Sequence, residues 1–249
     1  MSPRSVRLGV LGALVLAFSI LLAPVGHAAA DTADVVVVHG VPGLTVDVYV
    51  NGDLTLPGFE PGSITAALPL AAGSYEIAIV GVGGDPADPA IAGTASVAAG
   101  DTVTLVAHLA ADGTPTLTPF VDDLALADTG EGRLIVRHVA AAPAVDVKLE
   151  RSFWRWRRTV GVLEDLESGG QAQVDVRARR YEASLLPAAT STTVFGPADV
   201  RVRRGEATIV YAIGDLTGGT FDLLTETRDL RSATANVTVV HGVLGLTVA

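Results

Sequence analysis

Along much of the chain, apolar and polar residues alternate one for one. Leu44, Val46, Val48 and Val50 fall on one side, and Thr45, Asp47, Tyr49 and Asn51 on the other. Val145, Val147 and Leu149 stand in the same way against Asp146, Lys148 and Glu150, as do Val174 and Val176 against Asp175 and Arg177. Successive side chains of a strand point to opposite faces, so this rhythm predicts strands with one face on a core and one in water. Asn51-Gly52 offers the positive φ angles of a two-residue hairpin turn. Ala72-Gly73, Gly83-Gly84-Asp85-Pro86, Ala99-Gly100-Asp101 and Asp112-Gly113 mark further turns at short spacing. No segment beyond the first thirty residues sustains a helical period. Roughly six to eight short strands per 100 residues predict antiparallel β-sandwiches of immunoglobulin-like size.

The pattern also repeats at longer range. Val38-His39-Gly40-Val41-Pro42-Gly43-Leu44-Thr45-Val46 returns as Val240-His241-Gly242-Val243-Leu244-Gly245-Leu246-Thr247-Val248. A diverged copy, Val136 to Val147, lies between them, and His39/Asp47 match His138/Asp146 in spacing. Tyr75-Glu76 likewise matches Tyr181-Glu182. The expected fold is all-β, with two tandem antiparallel β-sandwich (immunoglobulin-like) domains and the start of a third repeat. The expected divisions are a first sandwich over 31–127, a polar linker over 128–131, a second sandwich over 132–231 and a truncated third copy over 235–249. A lone strand pair cannot bury its apolar face. The third copy is therefore read as part of a longer protein, with pairing to an open sheet edge as the alternative.

Val-His, a Pro-bearing turn and then Thr-Val-Asp-Val-Tyr-Val-Asn-Gly resemble the opening of the family of domain of unknown function 4397. The resemblance covers nearly all of 33–122 and, more loosely, 132–222. In the second copy an aromatic, basic segment replaces the Asn-Gly turn. The resemblance implies a β-sandwich in an exported bacterial protein, often in tandem, and supplies no activity or site residues.

The N-terminus bears on where the protein works. Arg4 and Arg7 precede the uncharged run Leu8–Leu22, and Ala28-Ala29-Ala30 follows Pro24. This is the pattern of a secretory signal over 1–30, with cleavage near Ala30. The run is shorter than the roughly 20 apolar residues that span a bilayer. The chain is thus expected to be secreted or associated with the cell envelope, with no transmembrane segment after cleavage. There is no cysteine, which excludes a disulfide scaffold, so each sandwich is expected to rely on its own apolar core.

The net charge of −10 conceals a split: no Lys or Arg occurs from residue 8 to residue 132, whereas acids and bases nearly balance from Arg133 onward. The first half has nothing to neutralise phosphates, which argues against nucleic acid as a partner. Attraction between the acidic first copy and the basic second, within or between molecules, is a further expectation.

The residues offer little chemistry. Without cysteine there is no thiol nucleophile or thiolate metal site. His39, His108, His138 and His241 show no metal-ligand spacing, and the His39-type ring is expected to fasten its turn, with the following Asp as one partner. Gly81-Val82-Gly83-Gly84 runs into Asp85-Pro86 and reads as a hairpin loop, not a phosphate cradle. Asp122 and Asp123 lack a calcium-loop spacing and read as solvated turn acids. No catalytic residue, metal or cofactor is assigned.

One segment stands apart, Phe153-Trp154-Arg155-Trp156-Arg157-Arg158, which holds both tryptophans. Flat aromatics beside guanidinium groups suit sugars or anionic polymers. The alternative is that the tryptophans cover a sandwich edge. The leading expectation is a non-enzymatic binding, adhesion or spacer module that contacts a cell-wall glycan or anionic surface polymer through this hairpin. An exported hydrolase with a loop-built His/carboxylate site is the second reading.

Overall fold

The structure, a computed structural model, describes residues 32–153 and 156–231. The expected signal and the third copy lie outside the described residues. The first eight strands are β1 (Thr32–His39), β2 (Val46–Val50), β3 (Asp53–Phe59), β4 (Leu68–Ala71), β5 (Gly73–Gly81), β6 (Ile91–Val97), β7 (Thr102–Leu109) and β8 (Pro115–Val121). They form sheets of order β4-β1-β7-β8 and β3-β2-β5-β6. The next eight are β9 (Glu131–Ala141), β10 (Val145–Phe153), β11 (Trp156–Leu166), β12 (Gly170–Arg177), β13 (Arg179–Pro187), β14 (Phe195–Val202), β15 (Glu206–Asp215) and β16 (Asp222–Asp229). Their sheets run β12-β9-β15-β16 and β11-β10-β13-β14. The all-β fold of four-stranded sheets in sandwich-like pairs is thus as the alternation predicts. The wholly antiparallel pairing expected is corrected at one place in each sandwich: β1 with β7 and β9 with β15 are parallel, because these strands are not consecutive and are joined by crossovers through the other sheet, and the other neighbours are antiparallel.

The local reasons are those of the sequence. Val50 pairs with Asp53 across a turn in which Asn51 and Gly52 have φ of 50° and 85°. Both angles are positive, as a hairpin that follows strand twist requires. Val46, Val48, Ile77, Ile79, Leu105 and their neighbours fill the first sandwich, and Leu134, Val136, Val147, Leu149, Tyr181 and Val202 help fill the second.

The expectation of separate cores is incomplete. A third cluster joins the sandwiches, with Val36, Val38, Val106 and Phe120 meeting Ile135, Val139, Ile209, Tyr211 and Ile213. The inner sheets β4-β1-β7-β8 and β12-β9-β15-β16 therefore face each other, and the molecule has four sheet layers. Their central strands are covered on both faces, which explains runs such as Val35–Val38 and Thr208–Ile213 where alternation fails.

Charge crosses this junction. Asp122, expected in water, is buried between Arg137 and Arg228 and accepts from both guanidinium groups. Thr104 donates to Asp122 at 3.0 Å, Arg137 donates to the Tyr211 hydroxyl at 3.0 Å, and Tyr211 donates to Glu226. The Arg137 guanidinium also lies 4.5 Å over the Phe120 ring. Two guanidinium and two carboxylate groups balance, which is the condition for burying charge at tolerable cost. Burial foremost pushes the Tyr211 hydroxyl well above its ordinary range, so it remains a donor. The expected attraction between acidic and basic halves is realised here within one molecule.

Candidate functional site

His39, His108 and His138 are each about 1% exposed. His39 Nε2 donates to the Leu44 carbonyl at 2.7 Å, and His138 Nε2 to that of Pro143 at 2.9 Å. Each ring thus ties down its turn, as expected, but through a carbonyl five residues on. Asp47 instead accepts from the backbone of Gly83 and of Gly58, which holds its carboxyl below the usual range. Burial foremost lowers the pKa of all three rings, so they sit neutral. Among the described residues no group of three His, Asp or Glu is placed to hold a metal ion.

The β10–β11 hairpin lies at the far edge of the second sandwich. Trp156 pairs with Phe153 and is 78% exposed. Arg157 turns to the outer face of the sheet, where its guanidinium reaches Glu182 at 3.2 Å and Glu150 at 4.0 Å. Arg158 falls on the face it shares with Trp156 and points to a cleft. Trp154, Arg155 and the Phe153 side chain, which belong to the expected contact segment, lie outside the described residues.

The cleft has a volume of about 580 Å³ and lies between β11 and β12 at the mouth of the sandwich. Arg151, Arg158, Arg177 and Arg179 line it together with Tyr181, Thr159, Val174 and the carboxylates of Glu131 and Asp175. Tyr181 shapes it: its hydroxyl donates to the Arg177 carbonyl at 2.7 Å and pins the corner between β12 and β13. That corner carries Arg177 and Arg179. Asp175 is already neutralised by Arg133, at 2.8 Å. Of these side chains, sequence reasoning offers only Arg158 as a contact residue, and reads Asp175 and Arg177 only as the wet face of a strand. Arg151 and the neighbours Arg177 and Arg179 are far apart along the chain, and only the strand pairing brings them together.

Four guanidinium groups here face one carboxylate, Glu131, that is not already held by Arg133. Arg151 lies directly opposite Arg158 across β10 and β11, an arrangement of like charges that disfavours the pairing. A matching acidic pair, Glu150 opposite Glu182, is offset by Lys148 at 2.7 Å and by Arg157. Arg151, Arg158, Arg177 and Arg179 make no ion pair among the described residues. An open cleft of this size, lined by unpaired guanidinium groups and one aromatic ring, can take carboxylate or phosphate groups in bidentate fashion.

Fold and cleft together define a tandem β-sandwich protein with a basic recess at one end. Residues 33–148 match the family model described as domain of unknown function (DUF4397), and this part of the chain belongs to that family. The match covers the first sandwich and continues through β9 into β10. No curated protein matches the chain. Among solved structures it is similar to a Streptococcal ancillary pilin, with 11% identity and a TM-score of 0.25 over 75% of this chain and 63% of that one. It is also similar to the Bacillus anthracis TIE protein, with 13% identity and a TM-score of 0.23 over 72% and 35% of the two chains. A leucine-rich repeat protein from Bacteroides thetaiotaomicron matches with 13% identity and a TM-score of 0.19, over 74% and 26%. The chain spans less than two thirds of the length of each.

Proposed function

We propose that this protein is a non-enzymatic module, exported by its N-terminal signal, that binds an anionic glycan of the cell envelope through the β10–β11 hairpin and the recess at its base. The observation that carries the reading is the placement of Trp156, 78% exposed, on the same strand face as the unpaired Arg158. Burying an indole stabilises a fold by roughly 2–3 kcal/mol. A tryptophan left in water beside guanidinium groups is therefore better explained by a ligand than by the core. Apolar ring faces of a sugar stack on such a side chain, and its acidic substituents meet the arginines. The sealed histidines favour this reading over a hydrolase, since none can reach a substrate as a base.

The test compares the purified chain with Trp156→Ala for retention on envelope polysaccharide. The parent is expected to bind, and the variant to bind at least about tenfold more weakly, the factor that corresponds to about 1.4 kcal/mol of lost contact. Equal retention of the two proteins removes the hairpin as the contact element.

A further inference from the structure

Three segments of the second half share one pattern: Arg155-Trp156-Arg157-Arg158, Arg177-Ala178-Arg179-Arg180 and Arg201-Val202-Arg203-Arg204. Together they hold nine of the fifteen basic residues that follow residue 132. They are far apart along the chain, yet the topology gathers them. β11 begins where β10 ends, β12 ends where β13 begins, and β14 ends beside the start of β13, where Arg180 pairs with Arg201. The described residues of all three patterns, Arg157 and Arg158 for the first, therefore reach the same end of the sandwich. The opposite end carries Asp146, Glu164, Asp165, Glu167 and Asp215, and no Lys or Arg among the described residues.

The basic end is continuous. Arg179 lines the recess described above and also a second open hollow of about 420 Å³, shared with Arg180, Arg201, Arg203 and Arg204. Two like-charged pairs, Arg151 opposite Arg158 and Arg180 opposite Arg201, face each other across neighbouring strands. Arg180 has only a long ion pair to Asp199 at 3.8 Å, and Arg203 reaches Glu206 at 3.4 Å. Arg201 and Arg204 make none among the described residues. Repeated like-charge pairing at strand ends weakens a sheet, and nothing in the core requires it, since Arg158, Arg180 and Arg201 are exposed and Arg151 is half-buried. Its use is outward.

We infer that the described arginines of these three segments, with Arg151, form one track for a linear acidic polysaccharide, whose successive carboxylate or phosphate groups occupy first the recess at Arg151 and Arg158 and then the hollow at Arg201 and Arg204. This rests on the reading of the hairpin as a glycan contact and adds to it a polymer that spans two anion sites. The chemistry follows from the residues. Guanidinium groups receive planar acids in bidentate fashion, and two linked sites raise the affinity of a chain long enough to reach both. A short acid gains nothing from the second site.

The experiment uses polygalacturonate fragments of three and of about fifteen sugars, with neutral dextran as control, on the full chain. The longer fragment is expected to bind at least about tenfold more tightly than the trimer, with dextran unbound. Arg201→Ser/Arg204→Ser is expected to abolish that advantage and leave trimer binding unchanged. Arg151→Ser/Arg158→Ser is expected to weaken both fragments about tenfold. Equal affinity for the two lengths, or undiminished binding of the longer one by Arg201→Ser/Arg204→Ser, overturns the track. So does equal binding of a single-stranded polynucleotide, or head-to-tail self-association in sedimentation in place of glycan binding. Loss of binding in Trp156→Ala alone keeps the hairpin contact and removes the track, whereas no binding to any acidic glycan removes both.

Discussion

Arg137 and Arg158 belong to the same sandwich and meet opposite surroundings. Arg137 is fully buried between the inner sheets, where Asp122, Tyr211, Gln171 and the face of Phe120 satisfy it. Arg158 stands open at the strand end, opposite another arginine, with no ion pair among the described residues. One guanidinium is held by partners that the fold supplies, and the other is left with its charge unmet. Sorting arginines by what meets them separates a residue that joins two sandwiches from one available to a ligand.

The sharpest test of that contrast is Arg137→Ala. It leaves the Asp122 carboxylate buried with Arg228 as its remaining guanidinium partner and strips Tyr211 of a donor. Removing one member of a buried ion network costs roughly 3–5 kcal/mol. Urea unfolding is expected to show that loss, and Arg137→Ala/Asp122→Ala is expected to recover part of it. A loss below about 1 kcal/mol breaks the comparison, because Arg137 is then no more structural than an exposed arginine.

Tyr211→Phe comes next. The hydroxyl accepts from Arg137 and donates to Glu226, while the ring lies in the apolar cluster between the sandwiches. Deleting the hydroxyl alone is expected to cost about 1–2 kcal/mol in the same unfolding measurement, the usual value for a buried polar contact to charged groups. The ring keeps its packing, so the loss stays below that of Arg137→Ala.

How much of this was legible depends on the range over which each signal acts. Alternation along β2 and β10 gives the outer strands directly, and Asn51-Gly52 gives its hairpin, because both are decided by neighbours in sequence. The inner sheets are harder. Val35–Val38 reads as a strand, but its unbroken apolar character reports a second buried face only once the facing sheet is known. Parallel pairing of β1 with β7 leaves no local mark. Asp122 reads as a turn acid in water because one of its partners, Arg228, is 106 residues away. The three Arg-x-Arg-Arg segments are plain in the sequence, yet their convergence is a property of strand order.

A smaller effect follows from the histidines, whose neutral rings belong with Arg137 on the structural side of the contrast. His39 and His138 each donate through Nε2 and leave Nδ1 without a partner among the described residues, so a second ring proton is buried unmet. Burial lowers their pKa from about 6.5, as it does for His108. The unfolded chain then takes up protons first as pH falls, so stability is full above about 6.5 and declines below it. Urea midpoints at pH 7.5 and pH 5.5 are expected to differ in that direction. His39→Gln is expected to narrow the difference, and an unchanged midpoint in the parent contradicts the sealed, neutral rings.

The smallest effect is expected at Arg158 and tells most about the other side of the contrast. Arg158→Ala removes one member of the unpaired couple with Arg151 and breaks no ion pair among the described residues. Exposed substitutions of this kind usually change stability by no more than about 0.5 kcal/mol, and relief of repulsion across the strands acts in the stabilising direction. The variant is expected to unfold at the parent's urea midpoint or slightly above it, with the shift shrinking as salt screens the repulsion. A clear destabilisation means that the guanidinium supports the hairpin by packing its stem. A neutral or raised midpoint, with weakened binding to acidic sugar, means that the fold carries this charge for something outside itself.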